Sequence, residues 1–143
     1  MIYKSYLIEK NINLLENNIV LFYGENLGLK NTFKNHIKKF EKGAEIVNFH
    51  QEDILKNQEL FFNELFNISL FCEKKNFFID QANDKILDLI VEIEKKVKTQ
   101  RIFLFSDLLD KRSKLRNYFE KSNTFGVVPC YADNEISLKK MIL

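Results

Sequence analysis

Five short apolar runs alternate with amphipathic segments along this chain, and this alternation constrains the fold more than any other feature. The runs are rich in β-branched and aromatic residues, and the first is apolar throughout, as in strands buried on both faces. They are Ile19–Tyr23, Glu45–His50, Asn76–Asp80, Arg101–Ser106 and Phe125–Val128. Strict alternation of strands with helices predicts parallel βαβ units, and therefore an α/β domain.

The segments between these runs carry apolar residues at helical spacing. The clearest is Leu27 to Phe40, in which apolar side chains recur every three or four residues with lysines between them. Further helices are expected within residues 5–16, from Asp53 to just before Asn67, over 84–98, over 113–122 and after Asp133. Ser113 has the side chain and the position of an N-cap.

The chain has 143 residues, the size of one domain, with 45% hydrophobic and 29% charged residues and a net charge of +2. This composition is typical of a soluble globular protein and gives no strong argument for nucleic-acid binding. No apolar run approaches the roughly 20 residues of a membrane span, so a cytoplasmic location is expected. Cys72 and Cys130 stand far apart without a CxxC motif, which predicts small apolar residues rather than a zinc site or a disulfide.

The stretch from Gly24 to Thr32 follows the first strand and opens a helix, where P-loop proteins bind phosphates on backbone N–H groups. Its spacing departs from the pattern GxxxxGK followed by Ser or Thr. Only three residues separate Gly24 from Gly28, Lys30 is displaced by one position, and Asn31 stands where a magnesium-binding hydroxyl is required. A structural turn is therefore favoured, and a P-loop nucleotide-binding domain with ATPase activity is kept as an alternative.

Asp80 ends the third strand and admits two enzyme-like interpretations. It stands where P-loop enzymes have a magnesium-orienting aspartate, but Gln81 replaces the catalytic glutamate. It also stands where receiver domains carry their phosphoacceptor, although the acidic pair after strand one and the lysine ending strand five are missing. A receiver-type phosphoacceptor switch is therefore a second alternative. His36 and His50 have no partner that the sequence identifies, so no catalytic or metal-binding residue is assigned.

The stretch Asn67-Ile68-Ser69-Leu70-Phe71 ends a predicted helix a few residues before a strand. Two interpretations are open. In one, Ile68, Leu70 and Phe71 complete the core-facing side of that helix. In the other, they lie on the surface and bind a partner.

Three stretches, in their order and spacing, make the chain resemble the N-terminal domain of the delta subunit of the bacterial DNA polymerase III clamp loader. They are the strand and turn from Val20 to Glu25, the Ser69-Leu70-Phe71 motif followed by Lys74 and an apolar strand, and the run from Leu109 to Leu115. The resemblance covers essentially the whole chain.

The resemblance implies a RecA-like, AAA+ type three-layer domain with a five-stranded, mostly parallel sheet that has lost nucleotide binding. Gly24, Gly28 and Lys30 are then the remains of a non-functional P-loop. Residues 1–131 become a clamp-binding domain and 132–143 the start of a truncated helical lid domain, so we expect the chain to be a fragment.

The function implied by the resemblance is non-catalytic: the domain binds and opens the beta sliding clamp during DNA replication. Carried over by position, Leu70 and Phe71 become the main clamp anchors, Ile68 an accessory apolar contact and Ser69 a helix-end residue. The implied partners are the beta clamp and the gamma/tau and delta-prime subunits, which supply the ATP dependence, with DNA contacted only through the complex. No cofactor is implied.

Overall fold

The computed structural model describes residues 1–67, 74–97 and 99–131, and a sheet of five parallel strands forms its centre. The strands are β1 (Ile19–Tyr23), β2 (Glu45–His50), β3 (Lys75–Asp80), β4 (Arg101–Ser106) and β5 (Gly126–Pro129). Their order is β2-β3-β4-β1-β5, and every neighbouring pair is parallel. The predicted parallel α/β sheet is therefore confirmed.

Six α-helices fall within the described residues. They are α1 (Ser5–Lys10), α2 (Leu27–Phe40), α3 (Gln51–Lys56), α4 (Gln58–Phe66), α5 (Leu87–Glu94) and α6 (Lys114–Lys121). Short 3-10 turns follow α1 and precede α5. Ser113 caps α6 as predicted, since its hydroxyl oxygen accepts a hydrogen bond from the N–H of Arg116 at 3.2 Å.

Two predicted helices are interrupted or delayed by asparagine caps. The stripe that begins near Asp53 is split at Asn57, whose side chain accepts a hydrogen bond from the N–H of Leu60 at 3.2 Å and so starts α4. Likewise, α5 begins only at Leu87, after a 3-10 turn capped by Asn83. The apolar pattern therefore predicted the buried faces of these segments but not their breaks.

The two faces of the sheet are covered by different helices. On one face, α1 and α2 contribute Ile8, Phe33 and Ile37 to a core with the strand residues Val20, Phe22, Phe78, Phe103, Phe105 and Val128. On the other face, α3 to α6 contribute Ile54, Phe61, Leu65, Ile90, Ile93, Leu115 and Phe119 to a core with Leu21, Phe77, Ile79, Ile102, Leu104 and Val127. Because alternate strand residues face opposite ways, the sheet separates two apolar cores and the domain has three layers.

The strand order decides one of the alternatives that the sequence left open. Here β1 lies between β4 and β5, whereas receiver-type folds have the order 2-1-3-4-5, in which β1 lies beside β3. Asp80 ends β3, whose neighbours are β2 and β4. The arrangement of a receiver domain is absent, and the phosphoacceptor alternative is wrong.

All five strands run the same way, so the sheet has an amino edge, where the strands begin, and a carboxyl edge, where they end. The turns after β1, β3, β4 and β5 meet at the carboxyl edge. The links that enter β3 and β4 reach the amino edge. These two edges carry the candidate residues from the sequence.

Four further sequence predictions concern the two cysteines, the helix after Asp133 and membrane spans. Cys130 is a free, buried thiol, as predicted, and burial raises its pKa to about 12. Cys72 and the helix expected after Asp133 lie outside the described residues. None of the described helices has both the length and the apolar character needed to cross a membrane.

Candidate functional site at the two edges of the sheet

The turn after β1, where a P-loop would bind phosphate, packs against the residues that follow β5. Gly24 has a φ of +131°, and a Cβ added there would lie 1.8 Å from the carbonyl oxygen of Cys130. The N–H of Gly24 donates to the carbonyl oxygen of Asp107 at 3.2 Å. Glycine is therefore required here because two backbone segments of the chain itself approach each other closely.

Asn26 fixes the rest of this turn. Its N–H donates to the carbonyl oxygen of Cys130 at 3.2 Å, and its side-chain amide donates to the carbonyl oxygen of Tyr131 at 2.9 Å. Its side-chain oxygen accepts from the N–H of Leu29 at 3.0 Å and so caps α2. The N–H groups of Gly24, Asn26 and Leu29 thus bond to protein acceptors, and a phosphate bound on this turn would compete with them.

Lys30 points into the protein. It is 5% exposed, and its Nζ donates to the carbonyl oxygen of Ser106 at 2.9 Å. Its distance to Oδ1 of Asp107 is 3.7 Å, but that carboxylate is 98% exposed, so solvent weakens the ion pair and the buried hydrogen bond is the stronger contact. The hydroxyl of Ser106 in turn donates to the carbonyl oxygen of Ala82 at 2.6 Å. Lys30 therefore links α2 to the ends of β3 and β4.

Asp80 is paired with a lysine of α2. Its Oδ1 lies 2.6 Å from Nζ of Lys34, and both side chains are half-buried. The same Nζ lies 4.6 Å from the centroid of the Phe105 ring, a cation–π distance. An open cavity of about 310 Å³ is lined by Lys30, Lys34 and Asp80 together with Leu27, Asn31, His50, Gln81, Phe105, Ser106 and Asp107. The carboxylate that would orient magnesium in a P-loop enzyme thus already has a cationic partner.

The other residues considered for chemistry have structural surroundings. Gly28 is the second residue of α2, and a Cβ there would be 3.6 Å from Oδ1 of Asn26, an ordinary contact. His36 is half-buried on α2, and His50 is exposed and makes no side-chain cap bond to α3. Within residues 1–67, 74–97 and 99–131, no group of three or more His, Cys, Asp or Glu side chains could hold a metal ion.

The sequence did not indicate three residues that shape this edge. Asn26 left a usable signal, because an asparagine just before the first apolar residue of a helix is a typical N-cap. Ser106 and Asp107 follow a strand like many other polar residues, and nothing in the sequence shows that Lys30 would reach them.

The candidate clamp-binding residues belong in sequence to the link between α4 and β3. Residues 68–71, Ile-Ser-Leu-Phe, fall outside the described residues, so their role stays a prediction. The described residues fix both ends of this link: α4 ends at Phe66, and β3 begins at Lys75.

Apolar side chains of α4 reach solvent at both ends of the helix. Phe61 and Leu65 are fully buried in the core, whereas Leu60 is 49% exposed and Phe66 is 36% exposed. The ring of Phe66 stacks on that of Phe62 with 6.3 Å between centroids. The helix therefore presents apolar surface up to its last residue.

No protein-family model and no curated protein matches this chain. Its structure is similar to that of the DNA clamp loader delta protein of Bacillus subtilis, with a TM-score of 0.63 and 13% sequence identity. The match covers 89% of this chain and 41% of that protein, so this chain spans about two-fifths of the length of its structural neighbour. At this identity the similarity shows the fold alone, a three-layer α/β arrangement shared with a clamp-loader protein.

Proposed function

We propose that the chain is a non-catalytic domain of a delta-type clamp-loader subunit, which binds the beta sliding clamp and helps to open it during DNA replication. The observation that carries this proposal is the similarity of fold to a clamp loader delta protein over 89% of the chain. In this proposal, residues 1–131 form the clamp-binding domain and 132–143 begin a helical lid domain of a longer subunit.

Leu70 and Phe71 are the proposed clamp anchors, with Ile68 as an accessory contact and Ser69 as a helix-end residue. Support comes from their sequence position directly after α4, whose own side chains Leu60 and Phe66 are exposed. Burial of an exposed leucine or phenylalanine contributes about 1.5 to 3 kcal/mol each, which is the size of an interface hot spot.

Opening of the clamp requires a difference in affinity. A ligand shifts an equilibrium between two states only as far as it binds one of them more tightly. The domain must therefore bind the opened or strained clamp protomer better than the protomer in the closed ring. No chemical step on the domain is needed for this work.

The contacts at the carboxyl edge support a domain that does not itself use nucleotide. The amide groups of the turn after β1 bond to protein carbonyls, and Lys30 donates to Ser106. Asp80 is paired with Lys34. We therefore propose that Gly24, Gly28 and Lys30 are structural remains of a P-loop and that partner subunits of the gamma/tau and delta-prime type supply ATP hydrolysis. DNA is then contacted through the assembled complex.

The deciding experiment measures binding of the chain to the beta clamp from the same genome by calorimetry. The double variant Leu70→Ala/Phe71→Ala is expected to bind at least about 100-fold more weakly, because two anchors are lost. Circular dichroism and Tm should stay nearly unchanged. The matched control is Leu27→Ala/Leu108→Ala, which removes apolar side chains that are 66% and 59% exposed at the carboxyl edge and should bind normally.

Two results contradict the proposal. A large fall in Tm of the Leu70→Ala/Phe71→Ala variant, with binding intact, supports the core interpretation of this segment. Micromolar binding of Mg-ATP that is abolished by Lys30→Ala, in a variant that still melts cooperatively, supports the P-loop enzyme instead.

A further inference from the structure

We propose that Lys75 and Gln100 are positioning residues, which hold the end of α4 in the orientation that presents the adjoining clamp-binding residues. This inference rests on the proposed function and adds residues that do not themselves touch the clamp. It is carried by the contacts that end α4.

As far as the structure describes this helix end, up to Asn67, α4 has no αL cap. No glycine follows the helix, and Asn67 is already extended, with φ −74° and ψ 130°. The last carbonyl groups of a helix have no partner within it, so the contacts that satisfy them fix how the chain leaves. Here the carbonyl oxygen of Glu64 accepts from Nζ of Lys75 at 3.0 Å, and that of Leu65 accepts from the side-chain amide of Gln100 at 2.7 Å. Two side chains from outside the helix therefore satisfy carbonyl groups that a capping motif would otherwise satisfy.

Lys75 joins the two ends of the link between α4 and β3. It is the first residue of β3, only 7% exposed, and its Nζ reaches back to Glu64, which precedes the link. The carboxylates of Glu64 and Glu45 lie 3.7 Å and 4.0 Å from the same Nζ and balance its charge. On the far side, the carbonyl oxygen of Lys74 accepts from the N–H of Glu45 at 3.0 Å. One buried ammonium group thus connects the residue before the link with the residue after it.

The ammonium group of Lys75 lies where the helix dipole of α4 favours a positive charge. A helix carries partial negative charge at its C-terminus, so an ammonium group that bonds the last carbonyls stabilises that end. Lys75 is only 7% exposed, which leaves little freedom for its head group. Fixing the two ends of a binding segment before association lowers the ordering cost of association and raises affinity. Lys75 and Gln100 therefore contribute to clamp affinity through position alone.

The test compares Lys75→Met, Lys75→Arg and Gln100→Leu with the unchanged chain in binding to the beta clamp. Methionine keeps the stem but removes the donor, so affinity should fall about 10-fold, which corresponds to about 1.4 kcal/mol. Arginine restores a donor and should recover most of the affinity, which a general loss of packing would not allow. Gln100→Leu should weaken binding in the same direction. The control Lys121→Met changes an exposed lysine at the end of α6 and should bind normally.

The outcomes separate the two proposals. Normal binding by both Lys75→Met and Gln100→Leu, while Leu70→Ala/Phe71→Ala fails to bind, overturns the positioning role and leaves the clamp function standing. Absence of binding by the unchanged chain overturns both. If Lys75→Met has a much lower Tm, Gln100→Leu decides: weaker binding at unchanged Tm supports the positioning role, and normal binding contradicts it.

Discussion

The two edges of the sheet differ in what their residues contact. At the carboxyl edge, Gly24, Asn26 and Lys30 bond to other parts of the same chain, and these contacts fill the positions at which a P-loop binds nucleotide. At the amino edge, Lys75 and Gln100 brace the end of α4, beside exposed apolar side chains. The contrast shows that the turn after a first strand can be held by contacts within the chain at the positions where P-loop proteins bind phosphate. In our proposals, the clamp is bound at the opposite edge.

The largest effect is expected at Gly24, where the carboxyl edge is most tightly closed. Alanine would adopt an unfavourable backbone conformation and meet the carbonyl oxygen of Cys130 at 1.8 Å. Gly24→Ala should therefore lower the free energy of unfolding by about 4 kcal/mol or more, measured by urea denaturation. Gly28→Ala is the control, since its Cβ finds only an ordinary contact at 3.6 Å. That variant should be stabilised by up to about 1 kcal/mol. Equal tolerance of both substitutions would contradict the closed turn.

The second prediction tests whether the buried hydrogen bond of Lys30 stabilises the fold. Lys30→Met keeps the stem but leaves the carbonyl oxygen of Ser106 without its charged donor. The free energy of unfolding should fall by about 1 to 3 kcal/mol, since a hydrogen bond to a charged group is lost in a buried position. Urea midpoints at equal m-values give this difference. An unchanged midpoint would show that this hydrogen bond adds no net stability, and would weaken the contrast between the two edges.

Much of the fold was predictable because the strands are marked by local apolar runs. The bounds of β1, β2, β4 and α2 match the sequence pattern residue for residue. The break at Asn57 was missed because apolar residues continue in step across it, and only the polar cap signals the new helix. Local apolar patterns thus determine which helices and strands form, whereas capping residues determine where the helices begin and end.

The candidate site was predictable only in part, because its contacts are long-range. The sequence itself shows that the spacing of Gly24, Gly28 and Lys30 departs from a working P-loop pattern, and the non-functional P-loop stays a prediction. The closure against Cys130 joins segments more than 100 residues apart, and no local pattern encodes such a contact. The hydrogen bond from Lys75 to Glu64 is likewise not encoded by a local pattern, because in the sequence each residue looks like an ordinary surface charge.

A smaller effect is expected for the pair formed by Lys34 and Asp80. Both side chains are half-buried, so solvent screens their attraction despite the 2.6 Å distance. Asp80→Asn should lower the free energy of unfolding by about 1 kcal/mol or less and leave clamp binding unchanged. Thermal unfolding and clamp calorimetry on the same preparation check both statements. Loss of clamp binding would place function at the carboxyl edge, contrary to the comparison.

The smallest effect is expected at Asp84, which ties the carboxyl edge to α6. Burial raises the pKa of this carboxyl, but hydrogen bonds from the hydroxyl of Ser113 and from the backbone N–H groups of Leu115 and Lys114 outweigh burial and lower the pKa below its ordinary value. Oδ1 lies 2.6 Å from Oγ of Ser113 and 3.1 Å from the backbone nitrogen of Leu115.

Because the folded pKa of Asp84 is lower than the unfolded one, its contribution to stability is fully present above the unfolded value, about 4, and is lost as pH falls through the folded value. Asp84→Asn should therefore melt slightly below the unchanged chain at neutral pH, and the gap in Tm should close on acidification. Ser113→Ala should narrow that gap at neutral pH, since it removes one of the bonds to the carboxylate. A gap that stays constant down to the most acidic conditions at which the chain folds would mean that Asp84 acts by shape rather than by charge. Electrostatic interactions would then contribute less to stability at the carboxyl edge than the hydrogen bonds of Asp84 indicate.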